Sequence, residues 1–269
     1  MAAYNSQNFG YRYKREETTF KVYAKHCDAV LLCLYENANT YRCTTMAMHL
    51  MGDSVWELTV QDDLKGKFYL YKLKRGIMEY IVQDPFAYAS SVNSKKSAIV
   101  DYNENMPEGF SQEKFTPVPM SEAVIYETHV RDMTMDKSLG LQYPGKYLGV
   151  VETLQDREYG LRYIKNLGIT HLHFLPLQDF LSVDEFSEDQ YNWGYDPEHY
   201  FVPEGSYATN PEDPLCRITE LQMMVKACHD CGLAVVLDVV YNHTYRGGEN
   251  PLAVLAPMVY YRHHKDGSY

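Results

Sequence analysis

Two short stretches hold the side chains that could do chemistry. Residues 237–244 read LDVVYNHT and contain Asp238, Asn242 and His243; residues 191–200 read YNWGYDPEHY and contain Trp193, Tyr195 and Asp196. Asp238 ends an apolar run, where a carboxylate is costly to bury unless it is paired. It therefore implies an arginine, lysine or hydroxyl partner. His243 suits a general base, a metal ligand or a hydrogen-bond donor to a substrate hydroxyl, and equally a histidine satisfied within its own loop. Tyr195, held between Gly194 and Pro197, presents a rigid ring. Such a ring either stacks on the face of a sugar or packs its loop onto the protein body.

Two further groups invite a metal reading. His171 and His173 alternate on one face of THLHFLPL (170–177), but no third ligand is evident nearby, which favours packing. Cys228 and Cys231 resemble half a zinc site without a second half, at the end of an expected helix, and read as structural thiols. Six cysteines in 269 residues do not make a disulfide scaffold.

The elements that must position these residues fall into two grammars. Residues 10–100 give short alternating segments: Phe20, Val22 and Ala24; Val30, Leu32 and Leu34; Trp56, Leu58 and Val60. Turn-like breaks separate them, which indicates a β-sandwich. Trp56 shares a face with Leu58 and Val60 and reads as core. Residues 101–122, with three prolines and little periodicity, read as a linker.

From residue 123 the pattern becomes β-α-β-α-β. AVIYETHV (123–130) and THLHFLPL are strand-like. Residues 157–167 set Tyr163, Ile164 and Leu167 on a helical face before Gly168. Asp213-Pro214 starts a helix with Ile218, Leu221, Met224, Val225 and Cys228 on one stripe, which Gly232 ends. LAVVLDVVY (233–241) is almost continuously apolar, as in a parallel strand covered on both faces. YETHVRDMT replaces any glycine-rich phosphate turn, which argues against a dinucleotide fold. A (β/α)8 barrel remains, with function on the loops after each strand. The second such loop, Leu177 to Asp213, has no periodic element but five aromatics from Trp193 to Tyr207; a loop of that length is functional.

The net charge of -11, with no Lys/Arg run, argues against nucleic-acid binding. No stretch approaches a membrane span, and MAAYNSQNFGYRYKREE lacks the apolar region of a signal peptide. The expectation is a cytoplasmic protein.

At these two stretches a family becomes recognisable. DVVYNHT resembles the first conserved region of the α-amylase superfamily, glycoside hydrolase family 13, and YNWGYDP resembles the signature of the type I pullulanases within it. YETHVRDMT, GKYLGVVE, THLHFLPL and FVPEGSYATNPEDPLCRITELQMMV are similar to the same subgroup. QDPFAY (83–88) resembles the end of its N-terminal sandwich, a carbohydrate-binding module of the family-48 type.

The resemblance implies a β-sandwich at 10–100, a linker at 101–122, and an incomplete α-amylase-type barrel of about three β/α units at 123–269. It implies a hydrolase of α-1,6 branch linkages in pullulan, limit dextrin or glycogen-type polymers, with an α-glucan as partner. It places Tyr195 under a sugar ring, His243 on a hydroxyl of that ring, and Asn242, Asp196 and Trp193 among the substrate-binding residues. Asp238 becomes the support that anchors an arginine. No cofactor follows, and calcium stays open. Isoamylase, branching enzyme and a non-catalytic glucan-binding protein are the alternatives, and YNWGYDP favours pullulanase.

Members of the family retain anomeric configuration, which takes a nucleophile and an acid/base about 5–5.5 Å apart. The resemblance puts these carboxylates on later strands whose motifs are not in this sequence. A full barrel takes roughly 250 residues, well over the length of chain beyond residue 122. The chain is therefore expected to read as cut within the third β/α unit and to be inactive alone.

Overall fold

Alternating apolar residues set the first strands. In β2 (Glu17–Tyr23), which pairs antiparallel with β1 (Gly10–Lys14), Thr18, Phe20 and Val22 are buried and their neighbours half-exposed. The strands that follow are β3 (Ala29–Tyr35), β4 (Thr44–Ala47), β5 (His49–Gly52), β6 (Val55–Val60), β7 (Phe68–Arg75), β8 (Met78–Val82) and the short β9 (Ser97–Ala98). They form two sheets, β1-β2-β6-β5 and β4-β3-β7-β8, with β9 added to β7. The computed structural model that shows this describes residues 9–155 and 158–268.

The core of this sandwich joins Phe20, Val22 and Trp56 of the first sheet to Val30, Leu32, Tyr69, Tyr71 and Leu73 of the second. Trp56 is core, as its face predicts, and its indole Nε1 donates to the Ala24 carbonyl at 3.2 Å. Asp84, in the QDPFAY stretch, is fully buried. Its Oδ2 accepts from the hydroxyls of Tyr69 (2.8 Å) and Tyr71 (3.1 Å). Burial pushes the Asp84 carboxyl up to about 6.

The second grammar gives a parallel sheet. Its strands are β10 (Ile125–Thr128), β11 (His171–Phe174) and β14 (Ala234–Leu237), in the order β10-β11-β14. Between β10 and β11 lie α1 (Val130–Thr134), α2 (Tyr147–Glu152) and α3 (Gly160–Asn166). Between β11 and β14 lie β12 (Gln178–Phe180), β13 (Pro197–Pro203) and α4 (Cys216–Asp230). Parallel neighbours need such crossovers. Helices cover one face of the sheet: Leu172 and Phe174 of β11 pack with Val150, Leu161, Ile164, Met224, Ala227 and Cys228. Cys228 is a core residue, and burial pushes its thiol well up.

Several expectations need correction. Helix α3 buries Leu161 and Ile164, whereas Tyr163 and Leu167 are exposed. The buried pair is spaced by three, and Leu161 N–H donates to the Thr153 hydroxyl at 3.1 Å, so the helix starts at Gly160. Arg157, in the first turn of the expected helix, lies outside the described residues. The supposedly aperiodic loop from Leu177 to Asp213 contains β12 and β13, whose short polar sequences carry no clear alternation. Strand β14 is not covered on both faces: Val235 and Val236 are half-buried and Leu237 is 58% exposed. Helix α4 starts at Cys216, later than the Asp213-Pro214 pair suggested; Asp213 Oδ1 instead accepts from Leu215 N–H at 3.0 Å in the turn that leads into it.

Two compact units result, and they differ from the division at residue 123. The first runs to Asp101 and also takes in Glu198–Val202 and the chain from Asn242 on. The cause is α5 (Pro251–Leu255), whose Leu255 joins the sandwich core. Its carbonyl accepts from Lys25 N–H (2.8 Å) and from the Arg75 guanidinium (3.0 Å). The second unit holds Tyr102–Pro197 and Pro203–Tyr241, so the expected linker belongs to it. There His229 of α4 stacks on Phe115 at 4.2 Å and meets Glu113 at 3.0 Å. Among the described residues no helix is long and apolar enough to cross a membrane.

Candidate functional site

The three parallel strands end in register, with Thr128, Phe174 and Leu237 as Cα partners. One step earlier, Glu127, His173 and Val236 are partners, so their side chains share a face. It is opposite to the face on which Leu172 and Phe174 meet the helices. Asp238 follows Val236 by two residues and points the same way. Its backbone N–H donates to Phe174 O at 3.4 Å, prolonging the ladder by one residue.

Here Asp238 finds the partner that its position demands. The Tyr195 hydroxyl donates to Asp238 Oδ2 at 2.7 Å. His173 Nε2 lies 3.5 Å from the same oxygen. The hydroxyl was one of three partners the apolar run implied. The arginine that the resemblance assigns to Asp238 is not among its partners within the described residues. Burial, and then the bond to Asp238, push the Tyr195 phenol up to about 12. The phenol therefore stays protonated and a donor at neutral pH.

The loop that carries Tyr195 is tied at every turn. Asn192 Oδ1 accepts from Gly194 N–H at 2.8 Å, closing a turn of the Asx type. Gly194 has a φ of 90°, and a Cβ there would lie 2.9 Å from both Cβ and O of Pro176. Only glycine fits. Asn192 O accepts from the buried His129 ring at 2.9 Å. His129 Nδ1 accepts from Arg131 N–H at 3.1 Å, which leaves the ring proton on Nε2. Burial lowers the pKa of His129, favouring this neutral form.

Asp196 is held within the same loop. Its carboxylate accepts from Ser182 N–H (2.9 Å), from the Ser182 hydroxyl and from Asn192 Nδ2 (2.8 Å). It braces the loop. Trp193 is 60% exposed and turns away to another feature. With Tyr191, Tyr126, Tyr159, His129 and Asp132 it lines a cleft of about 800 Å³ that Tyr195 does not border. Its Nε1 donates to the Tyr191 hydroxyl (3.1 Å), which donates to Asp132 (2.8 Å).

Asn242 and His243 are exposed and belong to the first unit. Their loop is held by the segment 198–200. Tyr200 donates its hydroxyl to His243 O at 3.4 Å, Asn250 Nδ2 donates to Glu198 O at 3.3 Å, and Arg246 pairs with the Glu198 carboxylate at 3.4 Å.

Known proteins share both units. The profile of carbohydrate-binding module 48 (isoamylase N-terminal domain) matches residues 8–87, and that of the alpha amylase catalytic domain matches residues 124–249. The longer relatives that the chain resembles are pullulanases. The chain is 37% identical to the pullulanase of Bacillus subtilis (strain 168) over 98% of this chain and 37% of that protein. To pullulanase 1, chloroplastic, of Arabidopsis thaliana it is 30% identical, over 96% of this chain and 31% of that protein. The crystal structure of the Paenibacillus barengoltzii pullulanase in complex with maltohexaose and alpha-cyclodextrin superposes with a TM-score of 0.93. The identity is 39%, over 98% of this chain and 42% of that one. The pullulanase of Anoxybacillus sp. LM18-11 complexed with maltotetraose gives a TM-score of 0.90 at 38% identity, over 99% of this chain and 39% of that one. The chain thus spans less than half the length of these relatives.

Among the described residues no group of three or more His, Cys, Asp or Glu side chains could hold a metal ion. The carboxylates buried in the loop from Leu177 to Asp213 have a different partner. Arg217 of α4, fully buried, pairs with Glu185 at 2.8 Å and with Asp179 at 3.7 Å, and donates to Pro203 O at 3.2 Å. Glu204 lies beside them and accepts from the N–H groups of Phe180 (3.0 Å) and Ser206 (2.7 Å). Burial, and then Glu185, push Glu204 up to about 7. A Cβ on Gly205 would fall 2.3–2.4 Å from Glu185 and Arg217, so a larger residue there would displace the ion pair. Sequence reasoning missed this network and the contact of His173 with Asp238. A lone arginine on a helix stripe and a histidine on a strand give no distinguishing signal.

Proposed function

We propose that this chain supplies the sugar-holding part of an α-1,6-glucan debranching hydrolase of the pullulanase type. The observation that carries the reading is the Tyr195–Asp238 pair at the C-terminal end of the parallel sheet, where barrel enzymes place their sites. With its hydroxyl pinned to Asp238, Tyr195 has one fixed ring orientation, and 37% of its surface is open. Such a ring offers a flat apolar platform for the C–H face of a glucose unit. The likeness to pullulanases solved with maltohexaose and maltotetraose supports that ligand class. Asn242 and His243, exposed on their own loop, are the candidates for contacts to sugar hydroxyls.

The reaction we assign to the protein this chain serves is hydrolysis with retention, which takes two carboxyl groups about 5–5.5 Å apart. Asp238 is not offered as one of them. Its Oδ2 is shared by Tyr195 and His173, so it supports the platform. Asp196 is committed to Ser182 and Asn192. The 269-residue chain is therefore a binder and not a catalyst. Two assays test this: reducing-sugar release from pullulan and titration with maltotetraose. Binding without turnover is expected. Turnover that Asp238→Asn abolishes would overturn the assignment.

A further inference from the structure

We propose that His173 is a positioning residue for the Tyr195 platform, acting through Asp238; the inference rests on the glucan-binding reading only for its use, not for its geometry. Three facts carry it. Glu127, His173 and Val236 are Cα partners across the three strands, so the imidazole stands on the same face as Asp238. Its Nε2 and the Tyr195 hydroxyl converge on the same atom, Asp238 Oδ2, at 3.5 and 2.7 Å. And the three residues differ in how firmly the backbone holds them. His173 is on the central strand, paired on both sides, whereas Asp238 stands one residue past the end of β14 and Tyr195 is on a loop.

Positional information therefore runs outward from the strand. At 3.5 Å the imidazole Nε2 is too far for a tight hydrogen bond but lies against the carboxylate oxygen, where a ring fixed on the strand limits how the carboxylate can turn. It selects which way the Asp238 carboxylate faces, and that carboxylate fixes the phenol. Functional groups held this way, by a partner on a rigid element, keep their geometry when loops move.

The test is NMR on the 269-residue protein with tyrosine labelled at ring carbon Cζ. Tyr195 is assigned by the signal missing in Tyr195→Phe. Without any ligand, His173→Leu should displace the Tyr195 signal in the same direction as Asp238→Asn does, and His173→Gln, which keeps a donor, should bring it back. A Tyr195 signal unmoved in folded His173→Leu, or not restored by His173→Gln, overturns the proposal. Should His173→Leu not fold, the His173 ring nitrogen decides: its Nε2 signal should move in Asp238→Asn, and a stationary signal overturns the proposal. Maltotetraose forms a separate arm. If it fails to move the Tyr195 signal of the wild type, the glucan reading falls, while the ligand-free shifts still decide the role of His173. If it does bind, His173→Leu should weaken it by no more than the few-fold loss expected of Tyr195→Phe, since both act through the Tyr195–Asp238 bond.

Discussion

Tyr195 and Asp238, separated by 43 residues in the chain, meet through a 2.7 Å hydrogen bond from phenol to carboxylate. That bond ties the aromatic loop to the end of β14 and turns an exposed tyrosine into a fixed platform. Tyr195→Phe keeps the ring and removes the bond. With Asp238 partly exposed, we expect a loss of about 1 kcal/mol in thermal stability of the second unit, and a maltotetraose affinity lowered only a few-fold. A melting curve and a titration check both.

Gly194→Ala should act on the same platform without touching it. The new Cβ would meet Pro176 at 2.9 Å and would sit at a φ of 90°. Strain of this kind costs about 1–3 kcal/mol. The expected outcome is a lower melting temperature together with weaker glucan binding, because the turn that aims Tyr195 must shift.

The buried charges of the long loop predict a large effect far from the platform. Arg217→Met leaves Asp179 and Glu185 buried without their cation. Breaking such a pair from one side costs about 3–5 kcal/mol. Urea unfolding at pH 7.5 should show it. Glu204 sets the pH trend: its folded pKa of about 7 lies above the ordinary value of 4.5. Its contribution is fully present below about pH 4.5 and is lost as the pH rises through 7. Acidification from pH 7.5 to 5.5 should therefore stabilise the second unit, and Glu204→Gln should flatten that trend.

Asp84 makes the corresponding prediction for the sandwich. Its folded pKa of about 6 exceeds the ordinary 3.8, so its stabilising contribution is complete below about pH 4 and disappears as the pH rises through 6. The shift corresponds to on the order of 2–3 kcal/mol between pH 7 and 4. Melting of the first unit in wild type and Asp84→Asn across that range should diverge by this amount, with the wild type gaining on acidification.

Much of this was legible from period and punctuation. Phe20, Val22, Val30 and Leu32 alternate and are core; Gly168 and Gly232 end α3 and α4 at φ values of 86° and 74°. Asp238 announced a partner because an apolar run ended in a charge. What was not legible depends on contacts between distant segments. Helix α5 is too short to declare by pattern that its Leu255 enters the sandwich core. Asp196 stands beside Tyr195 in the motif, yet its hydrogen bonds run to Ser182 and Asn192, which spacing cannot tell. Trp193 belongs to the same motif as Tyr195, but the turn at Gly194 sends the two rings to different surroundings. His173 looked like strand packing, since nothing in the chain shows that the carboxylate after the neighbouring strand falls within its reach.

Tyr195 as the platform for an α-glucan is the central claim. Calorimetric titration of maltotetraose into the 269-residue protein and into Tyr195→Ala tests it most directly. Saturable binding by the wild type, weakened about tenfold or more in Tyr195→Ala as befits the loss of a stacked ring, is the predicted result. Equal affinity in the two proteins would contradict it.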